Sequence, residues 1–142
     1  MTSISKKIYF ASDQHFGAPT PELSFPREQK FVAWLDEVKK DAEAIFLLGD
    51  LFDFWFEYKT VVPKGFVRVL GKLAEIRDSG IPIYFFVGNH DLWMNDYFEK
   101  ELNIPVFHEN QEYTFHGKTF LVGHGDGKGP GDLGYKRMKK VF

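Results

Sequence analysis

The chain contains no cysteine, which excludes a disulfide framework, a thiolate metal site and a cysteine nucleophile. Any metal it holds must be bound through nitrogen or oxygen. Long hydrophobic runs are missing as well. The first ten residues include Lys6 and Lys7 but no apolar signal segment, and no later run approaches the length that spans a bilayer. The expectation is a cytoplasmic chain that touches the inner membrane at most peripherally. Positive charge is not in excess: 18 Lys and Arg stand against 20 Asp and Glu, for a formal net charge of −2. No nucleic-acid partner is therefore expected, and an anionic small molecule would have to be held by local charge or bound metal. Internal repeats and low-complexity segments are also lacking.

What is present points to one globular core. A length of 142 residues, 44% hydrophobic and 27% charged, suits a single domain. Aromatics are abundant, with 16 Phe. Ile8 to Ala11, Ile45 to Leu48 and Ile83 to Val87 are continuous apolar runs, the pattern of parallel strands buried on both faces. Phe31, Trp34, Leu35 and Val38 repeat at helical spacing after Pro26, which suits a first turn, with Lys39 and Lys40 in the last turn. Phe66, Val69, Leu70, Leu73 and Ile76 do the same after Pro63, with Gly80 ending the helix. Leu92 to Glu101 reads as a short helix. Gln111 to Phe115 and Lys118 to Val122 flank His116-Gly117, a two-residue hairpin turn. The basic tail, Asp132 to Phe142, reads as a further helix, either a solvated face or a contact for anionic lipid.

Four apolar runs end in residues that bind metals: Asp13-Gln14-His15, Gly49-Asp50, Gly88-Asn89-His90-Asp91 and Gly123-His124-Gly125-Asp126. Residues just beyond the carboxyl ends of parallel strands line the ligand crevice of an open α/β sheet. At an extended strand end, positions i and i+2 point the same way, so Asp13 and His15 can grip one cation. A capping Asp and a surface His would give the same triplet. Gly49 lets the chain turn so that Asp50 projects into the crevice. A carboxylate can bridge two cations, and one Asp among several other ligands suggests a two-metal centre. Asn89 offers an amide oxygen, although an Asn turn with Asp91 as helix N-cap has the same sequence. His90 can serve a phosphoryl site as general acid or charge stabiliser, with Asp91 orienting its ring. His124 offers another nitrogen. His108 and His116 fall in a loop and a turn and read as surface residues. The run from Leu51 to Tyr58 is either a core loop or an apolar wall beside the metal site.

Taken together, the four ligand groups resemble the calcineurin-like metallophosphoesterase superfamily, whose motifs Asp-X-His, Gly-Asp, Gly-Asn-His-Asp and a later Gly-His occur in this order. The stretch Leu48 to Trp55, with Ser12 to Gly17 and His124 to Asp126, is similar more narrowly to the UDP-2,3-diacylglucosamine diphosphatase branch, the lipid A pathway hydrolases. The resemblance implies an α/β fold, a partial four-layer αββα sandwich with a mixed sheet, residues 1–142 forming the N-terminal part of one domain. It implies two divalent cations, manganese in this branch, with Asp13 and His15 on the first, Asp50 bridging, and Asn89 and His124 on the second. The implied reaction is attack of water on the pyrophosphate of a UDP-linked acylated glucosamine, giving UMP and diacylglucosamine 1-phosphate.

Two departures bear on that reading. This branch carries Arg where the chain has His90, which moves the substrate toward another phosphoester. No closing Gly-His-X-His follows His124, so the expectation is a truncated domain of weak metal affinity and little or no activity. Such a chain would expose apolar faces and self-associate. The competing reading is a non-catalytic scaffold.

Overall fold

The computed structural model describes residues 6–124. Four strands, β1 (Lys7–Ala11), β2 (Ala42–Leu47), β3 (Ile83–Phe86) and β4 (Val106–Phe107), form a sheet in that order, and all three pairings are parallel. Parallel neighbours need crossover connections, and helices lie in all three: α1 (Pro21–Val38), α2 (Val67–Asp78) and α3 (Tyr97–Leu102). A hairpin, β5 (Gln111–Phe115) and β6 (Lys118–Val122), turns at His116 and Gly117, whose φ values of 53° and 77° are the left-handed pair that a tight hairpin requires.

Strand alternation divides the core in two. From β2 and β3, Ile45, Leu47, Ile83 and Phe85 pack against Leu35 of α1 and Val69, Leu73 and Ile76 of α2. The intervening Ala44, Phe46 and Phe86 face the other way, onto Val122, Tyr113 and Phe115 of the hairpin. Phe46 is central there, its ring 4.9 Å from Tyr113 and 5.2 Å from Phe10. The result is helix, parallel sheet and antiparallel sheet in three layers, the expected α/β sandwich in part. Parallel and antiparallel strands are mixed between two sheets rather than within one.

Several boundaries differ from expectation. α1 begins at Pro21 rather than Pro26, because Thr20 caps it by accepting the Leu23 N–H at 3.2 Å and Pro21 takes the first-turn position. Pro26 then sits inside the helix, and Lys39 is the C-cap rather than part of the last turn. α2 has no side-chain cap of its own, since Phe66 stands at its N-cap with φ 60°. Glu28, buried on α1, supplies the acceptor instead, bonding the Val69 N–H at 3.1 Å. α3 starts at Tyr97, five residues later than Leu92, because a β-bridge between Trp93 and Phe56 holds that stretch extended. β4 has two residues, too few to leave a periodic signal. The proposed tail helix, and Gly125 and Asp126, lie outside the described residues.

Candidate metal centre

The loops that follow β1, β2 and β3 meet at one edge of the sheet, as a parallel α/β sheet requires. The first two are tied together by backbone bonds: Asp13 N–H to Gly49 O at 3.1 Å, His15 N–H to Asp50 O at 2.9 Å and Phe16 N–H to Leu51 O at 2.9 Å. Their side chains converge less simply than strand alternation suggests. β1 ends at Ala11, and Asp13, His15 and Asp50 all take left-handed φ, at 64°, 49° and 52°. Asp13 and His15 therefore meet through two backbone reversals, not as positions i and i+2 of an extended strand. Three non-glycine residues in that region carry a steric cost, and cross-loop hydrogen bonds hold them there.

Asp50 occupies the middle. Its side chain is 5% exposed, and its Oδ1 accepts the His90 N–H at 2.9 Å. Oδ2 is left 3.6 Å from His15 Nε2 and 3.5 Å from His124 Nε2. His15 Nε2 is also 3.6 Å from Asp13 Oδ1. One carboxylate oxygen thus lies between two imidazole nitrogens, which is the arrangement a bridging ligand needs. Each ring is oriented from behind. His124 Nδ1–H donates to Leu48 O at 2.6 Å, and His15 Nδ1–H donates to Asp53 Oδ1 at 3.3 Å. Both Nε2 lone pairs then face the cluster, the tautomer a metal-binding histidine requires.

Two glycines make the approach close enough. A Cβ on Gly49, whose φ is 93°, would stand 2.6 Å from His124 Nδ1. A Cβ on Gly88 would collide with the Asp50 carboxylate.

His90 and Asp91 part company. The His90 ring is edge-on to His15, centroids 4.6 Å apart, and donates Nδ1–H to the Asp53 carbonyl at 2.8 Å. That bond, reinforced by the Asp50, Asp53 and Asp91 carboxylates and opposed by desolvation, holds the His90 pKa above its ordinary value. Contrary to the expectation from the sequence, Asp91 does not orient this ring. It points inward, fully buried, and its carboxylate accepts N–H bonds from Gly88 at 2.7 Å, Leu51 at 3.0 Å and Asp50 at 3.2 Å. Burial pushes its pKa up, against those bonds. The backbone supplies the nearer donors, so Asp91 fixes the Asp50 turn, and the ring of His90 is held by Asp53 instead. Asn89 stands on the exposed turn between Gly88 and His90.

Asp53 is the site residue that sequence reasoning missed. The available signal was its spacing, three residues beyond Asp50 on the same loop. His15, Asp53 and His90 form a second cluster that could hold a cation, beside Asp13, His15 and Asp50. The His15, Asp53 and His90 cluster is the poorer site, since Nδ1 of both histidines is engaged as a donor. The Asp13, His15 and Asp50 cluster keeps His15 Nε2, the Asp13 carboxylate and Asp50 Oδ2 for a ligand, and this nitrogen and oxygen donor set fits a divalent cation.

The core-loop reading of the aromatic run holds for part of it, Leu51 included. Phe52 and Trp55 are fully buried, whereas Phe54, Phe56 and Tyr58 are exposed, the first two beside exposed Trp93. His108 and His116 are exposed, as expected. No helix among the described residues is long and apolar enough to cross a membrane.

Residues 6–139 match the model of the calcineurin-like phosphoesterase family. The chain is 47% identical over 136 residues to a UDP-2,3-diacylglucosamine hydrolase of Porphyromonas gingivalis, covering 96% of this chain and 50% of that protein. It is 32% identical over 138 residues to one of Haemophilus influenzae, covering 95% and 55%. The chain thus spans about half the length of the curated relatives it matches. A crystal structure of an Aquifex aeolicus protein of unknown function shares the fold, with a TM-score of 0.58 and 21% identity over 94% of this chain and 68% of that one.

Proposed function

The chain belongs to the calcineurin-like phosphoesterase family, and on that premise we propose that it carries most of the metal centre of a divalent-metal-dependent hydrolase acting on a phosphoester or pyrophosphate bond. The observation that carries the reading is Asp50 Oδ2 placed between His15 Nε2 and His124 Nε2. Two bound cations would supply positive charge for the phosphoryl group under attack and lower the pKa of the attacking water. Asp13 and His15 would hold the first cation, Asp50 would bridge, and Asn89 and His124 would hold the second. Manganese is the metal proposed, with which oxygen-rich ligation that includes some imidazole is compatible.

The chain's own groups do the rest. His90, kept protonated more readily by its bond to the Asp53 carbonyl, stands beside His15 where it can donate a proton to the leaving oxygen or stabilise charge on the phosphoryl group. Asp91 holds the backbone of Asp50, the bridging residue. The left-handed turns keep the ligands preorganised before substrate arrives.

The favoured substrate is a UDP-linked acylated glucosamine, cleaved to UMP and an acylated glucosamine 1-phosphate. Exposed Phe54, Phe56 and Trp93 support it, as an apolar landing for acyl chains and for peripheral membrane contact. The same patch supports self-association. Release of UMP from that lipid is the test, with and without added manganese. Metal-dependent release, weak in this chain and strong in one extended to the length of its relatives, and abolished in both by Asp50→Ala, is expected. Equal release by Asp50→Ala and the parent would overturn the Asp50 centre, and a partner bound equally well by both with no hydrolysis would favour the scaffold reading.

A further inference from the structure

Between the loop from Asp13 to Pro19 and helix α1 lies an open groove of about 730 Å³. One wall carries Asp13 and His15, the candidate ligands of the first cation, and the other carries Arg27 and Lys30. These two cations are three residues apart on one helix and therefore neighbours on its surface, an unfavourable pairing in the absence of an anion. Just past the other end of α1 the positive charge is matched: Lys39, the C-cap, meets Asp36 and Glu75, each at 3.0 Å. Arg27 and Lys30 form no ion pair among the described residues. Arg27 is nevertheless held in place, because its Nη2 donates to the carbonyls of His15 at 2.9 Å and Ala18 at 2.8 Å. Both bonds use one nitrogen and neutral acceptors, so the remaining edge of the guanidinium keeps its donors and its charge.

We propose that this groove docks a second phosphoryl group of the substrate, next to the one undergoing attack, so that the site selects pyrophosphate-linked compounds over simple phosphomonoesters. This rests on reading the Asp50 centre as a phosphoesterase site. The two phosphoryl groups of a pyrophosphate share one oxygen, so when one lies against Asp13, His15 and Asp50 the other must lie close by. The groove is adjacent and carries Arg27 and Lys30, and Lys30 makes no hydrogen bond or ion pair among the described residues that would compete. Arg27, tied to the carbonyl of a ligand residue, sets the distance between the two positions.

UDP and UMP share a nucleoside and differ by one phosphoryl group. Calorimetric titration of each into the full chain at fixed free manganese, for the parent, Lys30→Gln, Lys30→Arg and Arg27→Lys, tests the proposal. Lys30→Gln is expected to weaken UDP about fivefold while leaving UMP nearly unchanged, with the loss shrinking in high salt. Lys30→Arg should keep most of the preference, whereas Arg27→Lys, which loses the guanidinium fork on the His15 and Ala18 carbonyls, should lose part of it. Equal effects on UDP and UMP, or none on either, overturn the proposal. A manganese titration of the same proteins reports separately on the centre. If the parent binds no manganese, the phosphoesterase reading fails, and the groove is judged on UDP against UMP binding by the metal-free chain: a UDP-selective loss in Lys30→Gln upholds it, and no such loss overturns it.

Discussion

Asp53 accepts the Nδ1–H of His15 at 3.3 Å, thirty-eight positions away in the chain. This bond turns the other ring nitrogen toward Asp13 and Asp50. Partners of this kind set the tautomer and basicity of a metal ligand, and their loss typically weakens metal binding about 10- to 100-fold. Asp53→Ala is therefore expected to reduce manganese affinity by that order in a calorimetric titration. Its half-exposed side chain predicts little change in the urea midpoint, and a large fall there would show a structural role instead.

Gly88→Ala attacks the centre from beneath. The added methyl group meets the Asp50 carboxylate and the Asp50 backbone nitrogen, neither of which can move without losing its bonds to His90 and Asp91. Overpacking of this type costs about 1–3 kcal/mol, so a clear drop in urea stability together with weakened metal binding is expected. An unchanged metal affinity would show that the Asp50 turn is more adaptable than its hydrogen bonds suggest.

Glu28→Ala removes the acceptor that α1 lends to the N-terminus of α2. The Val69 N–H would be left buried and unpaired, at a cost of about 1–3 kcal/mol. Glu28→Gln keeps an acceptor oxygen but loses the negative charge favoured at a helix N-terminus, and should fall in between. Urea denaturation orders the three proteins, and an Ala variant as stable as the parent would contradict the shared cap.

Asp36 and Glu75, on neighbouring helices, share Lys39 and Lys72, with Lys72 at 2.7 Å and 2.9 Å from the two carboxylates. Hydrogen bonds from Lys72 and then Lys39 hold both carboxyl pKa values below their ordinary range. A pKa lower in the folded than in the unfolded chain means stability that is present above the unfolded value and lost as pH falls through the folded one. Stability from this network should hold at neutral pH and decline below about pH 4. Asp36→Asn should flatten that decline, and high salt should shrink the difference between the two proteins. An acid profile identical in both would remove the network from the account.

Much of the fold is legible without coordinates. The apolar runs at Ile8, Ile45 and Ile83 are strands, the helical repeats through Leu35 and Leu73 are helices, and His116-Gly117 is a hairpin turn. These are local properties, set by side-chain period and by the backbone freedom of a few residues. The ends of α1 and α3 were not legible, because a cap at Thr20 and a bridge between Phe56 and Trp93 compete with periodicity.

The sequence by itself determined which chemistry this protein carries: no thiol, and Asp, His and Asn placed after the strands of a parallel sheet, with Gly49 and Gly88 where side chains would block their approach. Only the tertiary structure decided how those groups are used. Asp13 and His15 meet through left-handed turns rather than strand alternation, Asp91 braces the backbone of Asp50, and Asp53 takes over the orientation of both His15 and His90. Each of these depends on distances between loops some forty residues apart, where a carboxylate bonds whichever donor packing brings nearest, and residue order alone carries no record of that distance.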